Sequence, residues 1–342
     1  MDCFTPDYAY LPNSIEPNRT VSNPGELLRS DAFIGVLRLC GIPEREIDRS
    51  SSDFELFRAF CKAFPMLTGH PTHDVFALFW NRRFPTFPLP NEANAATLWK
   101  DSTTILTQES TRLRDFFPAT ARVLADPSKL ESLTNEWEPM LFVNTLLQHD
   151  FADFDTLESD AQSCFEAFFK KGCRQLLISL DSAYGFVRPD PYHVSVALQS
   201  KGKERQSRSI ILSQLFRKAS AFALQNGMQI LLLADCDASS ARELLAYTER
   251  AVGLPTLYWA SKSSAVTDVI LHWQTLPHQN PVYMTLRLSD LPSREECASA
   301  IRSAAARYPI GRICMVTESP LLLLTQAQER MREILTDTVK KL

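Results

Sequence analysis

A chain of 342 residues is long for a β-sandwich but ordinary for one α/β barrel or two smaller domains. Hydrophobic residues at 45% and charged ones at 22% can fill a complete core, and a net charge of −4 argues against a general binder of phosphate backbones. No run approaches the roughly 20 apolar residues that a bilayer span needs, so neither nucleic acid nor membrane is expected as a partner.

The Met1–Pro12 segment is acidic and aromatic, without a basic start or an apolar run. It is expected to be neither a signal nor a transit peptide. Its Cys3–Leu11 portion can supply a first strand. Residues 12–120 then read as largely helical. A capping box at Ser52-Asp-Phe-Glu55 leads into Phe57, Phe60, Cys61 and Phe64, and Pro65 stands where that helix should end. Pro85, Pro88 and Pro90 mark an irregular connection.

From residue 121 the chain alternates short apolar runs with amphipathic helices. Ala121–Ala125 and Met140–Leu146 read as strands two and three. Asp155 is placed as the N-cap of a helix carrying Leu157, Ala161, Cys164, Phe165 and Phe168, which stops at Gly172. Gln175–Leu180 follows as a strand buried on both faces. A helix from about Ser209 to Asn226 precedes strand Met228–Ala234, and strands Thr256–Ala260, Val282–Leu288 and Arg312–Thr317 follow. Helices run through Val266–Trp273, from a capping box at Ser293–Glu296, and from about Leu323 to Lys340. Eight strands separated by helices imply parallel pairing. The expected fold is therefore a single (β/α)₈ TIM barrel over 1–342, with a helical insertion over 12–120 between strands one and two. An open doubly wound sheet is the competitor.

None of the familiar phosphate-loop, dinucleotide, nucleophile-elbow or zinc-protease motifs occurs, and only ten glycines are present. The eight cysteines form no CxxC pair, which points to free, mostly buried thiols and a cytoplasmic protein. His70 and His73 lie in a Gly-His-Pro-Thr-His-Asp stretch that reads either as metal ligands or as a Pro-bounded turn. Barrel chemistry belongs at the C-terminal strand ends. Those ends carry His149 and Asp150, then Asp181, then Asp235 and Asp237, then Ser261 and Lys262, then Asp290, and finally Glu318. Such carboxylates can serve as acid and base or bind a cation. They can equally cap the helices that follow, a role that suits Asp235, Asp237 and Ser239.

Several stretches resemble the uronate (glucuronate) isomerases of the amidohydrolase superfamily, in the family's own order. They are Phe57–Pro71 with its continuation to Arg82-Arg83-Phe84, Arg38–Ile42, Asn94–Trp99, Ala125–Leu133, Phe168–Arg174 with Asp181, Leu254–Tyr258, Met315–Ser319 and Glu329–Leu335. The resemblance implies the barrel. It also implies a metal-assisted aldose–ketose isomerisation of D-glucuronate and D-galacturonate, with a proton moving between C2 and C1.

The site positions depart from the family. Its His-x-His on strand one falls on Tyr8-Ala9-Tyr10, and phenols of pKa about 10 are poor substitutes for imidazoles at a divalent cation. A histidine on strand four falls on Ile178. The segment after strand five becomes Leu233–Ser240, without the family's histidine and arginine. A Tyr-His-Trp triplet becomes His73-Asp74-Val75. Of the strand-seven end, Asp290 remains; Glu318 stands for the strand-eight aspartate. The expected site therefore has Glu318, Asp181 and Asp235 as catalytic carboxylates and Tyr8, Tyr10, His73 and Asp290 as substrate contacts, with no metal ligand. No cofactor is expected, although the family uses a divalent metal such as zinc. The leading expectation is a homologue whose isomerase chemistry is impaired or lost and which binds a small sugar acid, with homo-oligomerisation left open. The alternatives are an active isomerase or a carbohydrate hydrolase rebuilt around the carboxylates.

Overall fold

In a computed structural model, the described residues are 10–11, 19–116, 122–132, 138–200, 204–261, 282–289, 294–307, 313–318, 333–338 and 340, apart from single positions within these ranges, with 266–273 described in part. The chain divides into two compact units, one of residues 1–13, 121–287 and 304–316, the other of residues 14–120, 288–303 and 317–342.

The first unit is built on the sheet. Its strands are β1 (Tyr10–Leu11), β2 (Arg122–Ala125), β3 (Pro139–Phe142), β4 (Gln175–Leu180), β5 (Gln229–Ala234), β6 (Thr256–Ala260), β7 (Val282–Ser289) and β8 (Ile313–Glu318), in the spatial order one to eight. The six pairings from β1 through β7 are all parallel. Sequential order with parallel neighbours is the arrangement of a (β/α)₈ barrel, not of a doubly wound sheet, in which the strand order reverses.

Register shows how the interior is filled. Phe142 aligns with Leu177, Leu177 with Leu231, Leu231 with Tyr258, and Tyr258 with Tyr283. These residues join Met140, Leu233 and Ala260 in one apolar cluster on a single face of the sheet. Tyr258 and Tyr283 stack there with centroids 5.0 Å apart. The alternate residues Leu176, Ile178, Ile230, Leu232, Leu257 and Trp259 are buried on the opposite face. Strands buried on both faces explain why β4 and β5 read as unbroken apolar runs.

The helices follow the apolar spacing, with adjusted ends. Helix α6 (Phe154–Lys170) is capped by Asp153, which accepts the Thr156 amide at 2.9 Å, so Asp155 lies inside the first turn and is not the cap. Its buried stripe is Leu157, Ala161, Phe165 and Phe168, and it gives way to Gly172 at φ +94°, a conformation that glycine adopts without strain. Helix α7 (Pro191–Gln199) is short, and α8 (Arg205–Gln225) begins four residues before the expected Ser209. The early start was hidden because the first turns bury polar Ser207, Ser209, Ser213 and Gln214 alongside Ile210–Leu212. Helix α9 (Ala238–Val252) fills the next crossover.

Strand three differs from expectation. The ladder stops at Phe142, and Val143–Gln148 turns into a 3₁₀ segment. The Asn144 side chain takes over from the backbone there. Its amide donates to the Ser179 carbonyl at 2.8 Å and accepts the Ser179 N–H at 2.9 Å.

The second unit is helical, with α1 (Asp31–Leu39), α2 (Glu44–Ile47), α3 (Asp53–Ala63), α4 (Pro71–Arg83) and α5 (Ala95–Gln108), followed in sequence by α10 (Arg294–Ala305). The Ser52–Glu55 capping box is present, and Pro65 sits in a 3₁₀ turn directly after α3. The core is aromatic. Trp80 packs on Phe57, Phe76 and Phe84 at centroid distances of 6.1, 5.9 and 4.7 Å, and its indole N–H donates to the Pro88 carbonyl at 3.0 Å. That bond fastens the proline-rich connection to α4. No described helix is long and apolar enough to cross a membrane. Ser293 of the predicted capping box, the start of the last predicted helix, and Thr267, Leu271 and His272 of the predicted Val266–Trp273 helix lie outside the described residues.

Candidate active site

The site is sought at the C-terminal ends of the strands, where the crossover loops begin. Beyond the last register pair of β4 and β5, Leu180 with Ala234, the next residues are Asp181 and Asp235. The ladder continues one step, because the Asp235 amide donates to the Leu180 carbonyl at 2.8 Å. The structure thus places two of the three expected catalytic carboxylates side by side. Both share the parity of Leu177 and Leu231, whose side chains line the interior.

Each of these acids has a local setting. Asp181 accepts the Ala183 amide at 3.0 Å, is more than half exposed, and has the Arg208 guanidinium at 4.0 Å. Arg205, one turn earlier on α8, donates to the Ala183 carbonyl. Tyr184 closes the same turn. Its hydroxyl is buried against the Ser213 hydroxyl at 2.7 Å, and burial pushes the phenol's pKa up. It stays neutral at any physiological pH. Between Asp235 and Asp237 lies Cys236. Burial above all, then the charges of Asp237, Asp235 and Asp181, push its thiol up to about 12, so it offers neither a nucleophile nor a thiolate ligand.

Asp237 is a capping residue, as its sequence position suggested. Its carboxylate accepts the Ser239 hydroxyl at 2.6 Å and the Ser240 amide at 2.9 Å at the N-terminus of α9. Desolvation raises its pKa, but these hydrogen bonds outweigh that effect and hold it at about 2. Asp237→Ala is expected to cost about 1 kcal/mol, the usual worth of an N-cap. A folded-state pKa below the ordinary 3.8 means the contribution is complete above pH about 4 and disappears as the pH falls toward 2. Urea denaturation of the two proteins at neutral and at acid pH should show the gap closing.

The remaining predicted residues are distributed as follows. Tyr8 and Asp290 lie outside the described residues. Tyr10 belongs to β1, opposite Arg122, and Glu318 is the last residue of β8. His73 lies in the helical unit, on the first turn of α4, where its ring stacks on Phe64 at 4.6 Å and meets Asp74 at 3.3 Å. Neighbouring His70 caps the same helix, its Nδ1 accepting the Thr72 amide at 3.2 Å. The Gly-His-Pro-Thr-His-Asp stretch is thus a helix start and not a metal cluster. His149 stacks on Phe151 at 6.0 Å.

Ile178 requires a correction. It lies on the outward parity of β4 and is fully buried there, so a side chain at that position does not enter the interior. The adjacent inward position is Ser179. The divalent metal that the resemblance associates with the family finds no matching donor set among the described residues. The inward positions near the strand ends include Phe142, Leu233 and Ala260 beside Ser179 and the Asp181–Asp235 pair. Among the described residues no three His, Cys, Asp or Glu side chains converge as a metal site would require. The reading from sequence missed Asn144, Arg205 and Arg208. Asn144 had left a signal, as a polar amide inside an apolar run.

Comparison with known proteins returns one family throughout. A family model described as glucuronate isomerase matches residues 10–124. A uronate isomerase of Bacillus pumilus is 35% identical over 107 residues, which is 31% of this chain and 22% of that protein. One from Bacillus subtilis is 31% identical over 106 residues, again 22% of its length. The matched stretch is therefore about a fifth of these curated relatives. Among solved structures, a uronate isomerase from Thermotoga maritima superposes with a TM-score of 0.75 at 15% identity, over 98% of this chain and 89% of that one. A glucuronate isomerase from Caulobacter crescentus gives 0.72 at 10% identity, over 99% and 86%.

Proposed function

We propose, for a chain that belongs to the uronate isomerase family, that it has kept the family's barrel and a place for a sugar acid but not the family's metal-dependent isomerisation. The observation that carries this reading is the chemistry of the inward positions. An aldose–ketose isomerisation run through a divalent cation needs imidazole and carboxylate donors converging at the strand ends. Among the described residues the strand ends bring Asp181 and Asp235 beside Phe142, Leu233 and Ala260, no third His, Cys, Asp or Glu converges with that pair, and the thiol between Asp235 and Asp237 is held protonated.

A sugar acid would find its charge partner on α8. Arg205 and Arg208 both reach the Asp181 turn, and a guanidinium suits a carboxylate through paired hydrogen bonds. Asp181 and Asp235 would accept hydrogen bonds from sugar hydroxyls. Calorimetric titration with D-glucuronate and D-galacturonate tests the binding part. Saturable binding that Arg208→Gln weakens supports it, and no heat with either acid sinks it.

The adjacency of Asp181 and Asp235 also favours a second reading, a rebuilt acid–base site. One carboxyl would remove a proton that the other returns, in an isomerase or in a carbohydrate hydrolase. Turnover that disappears in Asp235→Asn while sugar binding persists would select this reading over the first.

A further inference from the structure

The first unit carries a second concave site of about 470 Å³, lined by residues of α9 and of the loop after β4. That volume lies within the roughly 300–1,000 Å³ typical of small-molecule pockets. Its walls come from two segments, α9 and the loop after β4. The loop is fastened to the helix at both ends. The Phe186 amide donates to the Ser240 hydroxyl at 3.0 Å, and the Tyr247 hydroxyl donates to the Pro189 carbonyl at 3.2 Å. Phe186 and Tyr247 meet at 5.8 Å and form an aromatic wall.

Three guanidiniums share this wall. Arg242 and Arg250 stand eight residues apart on one stripe of α9, about 12 Å along the axis. Arg188 comes from the loop, its guanidinium 5.9 Å from the Tyr247 ring centroid. One carboxylate, Glu243, also lines the pocket. Elsewhere in the chain arginines find acids, as Arg217 does with Glu158 at 3.1 Å and Arg122 with Glu138 at 3.2 Å. Among the described residues no carboxylate lies within ion-pair distance of Arg188, Arg242 or Arg250, in a chain whose acids outnumber its bases. Three arginines without acids beside a fixed aromatic wall form a receptor for an anion attached to a flat ring. Guanidiniums take phosphate oxygens in paired hydrogen bonds, and the ring stacks on Tyr247 and Phe186.

We propose that this pocket binds a ligand of the nucleoside monophosphate class, its phosphate on the arginines and its base on the aromatic wall. Its lining residues do not include Asp181 or Asp235, and the proposal does not depend on any chemistry of that pair. Calorimetry on the full chain with AMP, adenosine and inorganic phosphate tests it. AMP should bind saturably and more weakly as salt rises, and adenosine and phosphate alone should each bind at least about tenfold more weakly. The Arg242→Gln/Arg250→Gln double variant, checked for unchanged circular dichroism, should lose at least about tenfold in AMP affinity. These arginines are exposed and have no acidic partner, so the fold does not depend on them. No saturable binding of AMP, equal binding of phosphate alone, or full affinity in the double variant would each overturn the proposal.

Discussion

Leu231→Asp is expected to yield no folded protein. Leu231 is fully buried at the centre of the inward row, aligned with Leu177 on one side and Tyr258 on the other. A carboxylate there would be buried among apolar side chains with no described cation beside it. It must either carry an uncompensated charge in an apolar interior or take up a proton and still leave its hydrogen bonds unmade. Either outcome, with the lost burial of leucine, costs more than about 4 kcal/mol, a large share of a typical domain's stability. Leu39→Asp is the control, because Leu39 on α1 is 81% exposed and the same change there should be nearly neutral. Soluble expression and circular dichroism distinguish the two variants.

Trp80→Ala should be the most damaging truncation in the helical unit, at about 3–5 kcal/mol. The side chain is 1% exposed and touches Phe57, Phe76 and Phe84, so its removal opens a cavity that three neighbouring rings are too rigid to fill. It also strands the Pro88 carbonyl, which loses the indole N–H. Trp80→Phe keeps most of the area and loses only the hydrogen bond and part of the volume, so it should recover more than half of the loss. Denaturant midpoints for the three proteins measure this. An alanine variant as stable as the parent would mean that these helices are held by something other than their aromatic core.

Where the sequence was legible, one physical signal dominated. Strands β4 to β6 stood out because burial on two faces leaves them almost wholly apolar, and the Ser52 capping box because reciprocal hydrogen bonds need a fixed spacing. The resemblance read from ordered short motifs agrees with the family that the comparisons return. Errors arose where a side chain replaced backbone. The apolar run around Asn144 looks like four further residues of strand, although the Asn144 amide ends the ladder by bonding Ser179. Asp153 and Asp155 are both acidic residues near a helix start, and only the bond to Thr156 separates cap from first turn.

The site was less legible, for a geometric reason. A strand's parity decides whether a residue faces the interior or the helices, and a slip of one reverses it. Ile178 was aligned with a histidine position although its side chain points outward. Asp181 and Asp235, named for lying at strand ends and, for Asp181, also for the family resemblance, share the inward parity and lie adjacent across the β4–β5 ladder. The arginines that face Asp181 lie on a helix start that sequence placed four residues too late.

The central proposal is that these strand ends do not run the metal-assisted isomerisation that the resemblance implies. Its most direct test follows solvent hydrogen. The purified chain is incubated with D-glucuronate in deuterated water, with and without added zinc or manganese, and C2 exchange and ketose formation are followed by proton NMR. The account predicts no exchange and no ketose under either condition, beside an active uronate isomerase run as a positive control. Deuterium at C2 that appears only when metal is added would contradict it, because the donors this account finds missing would then have to be present.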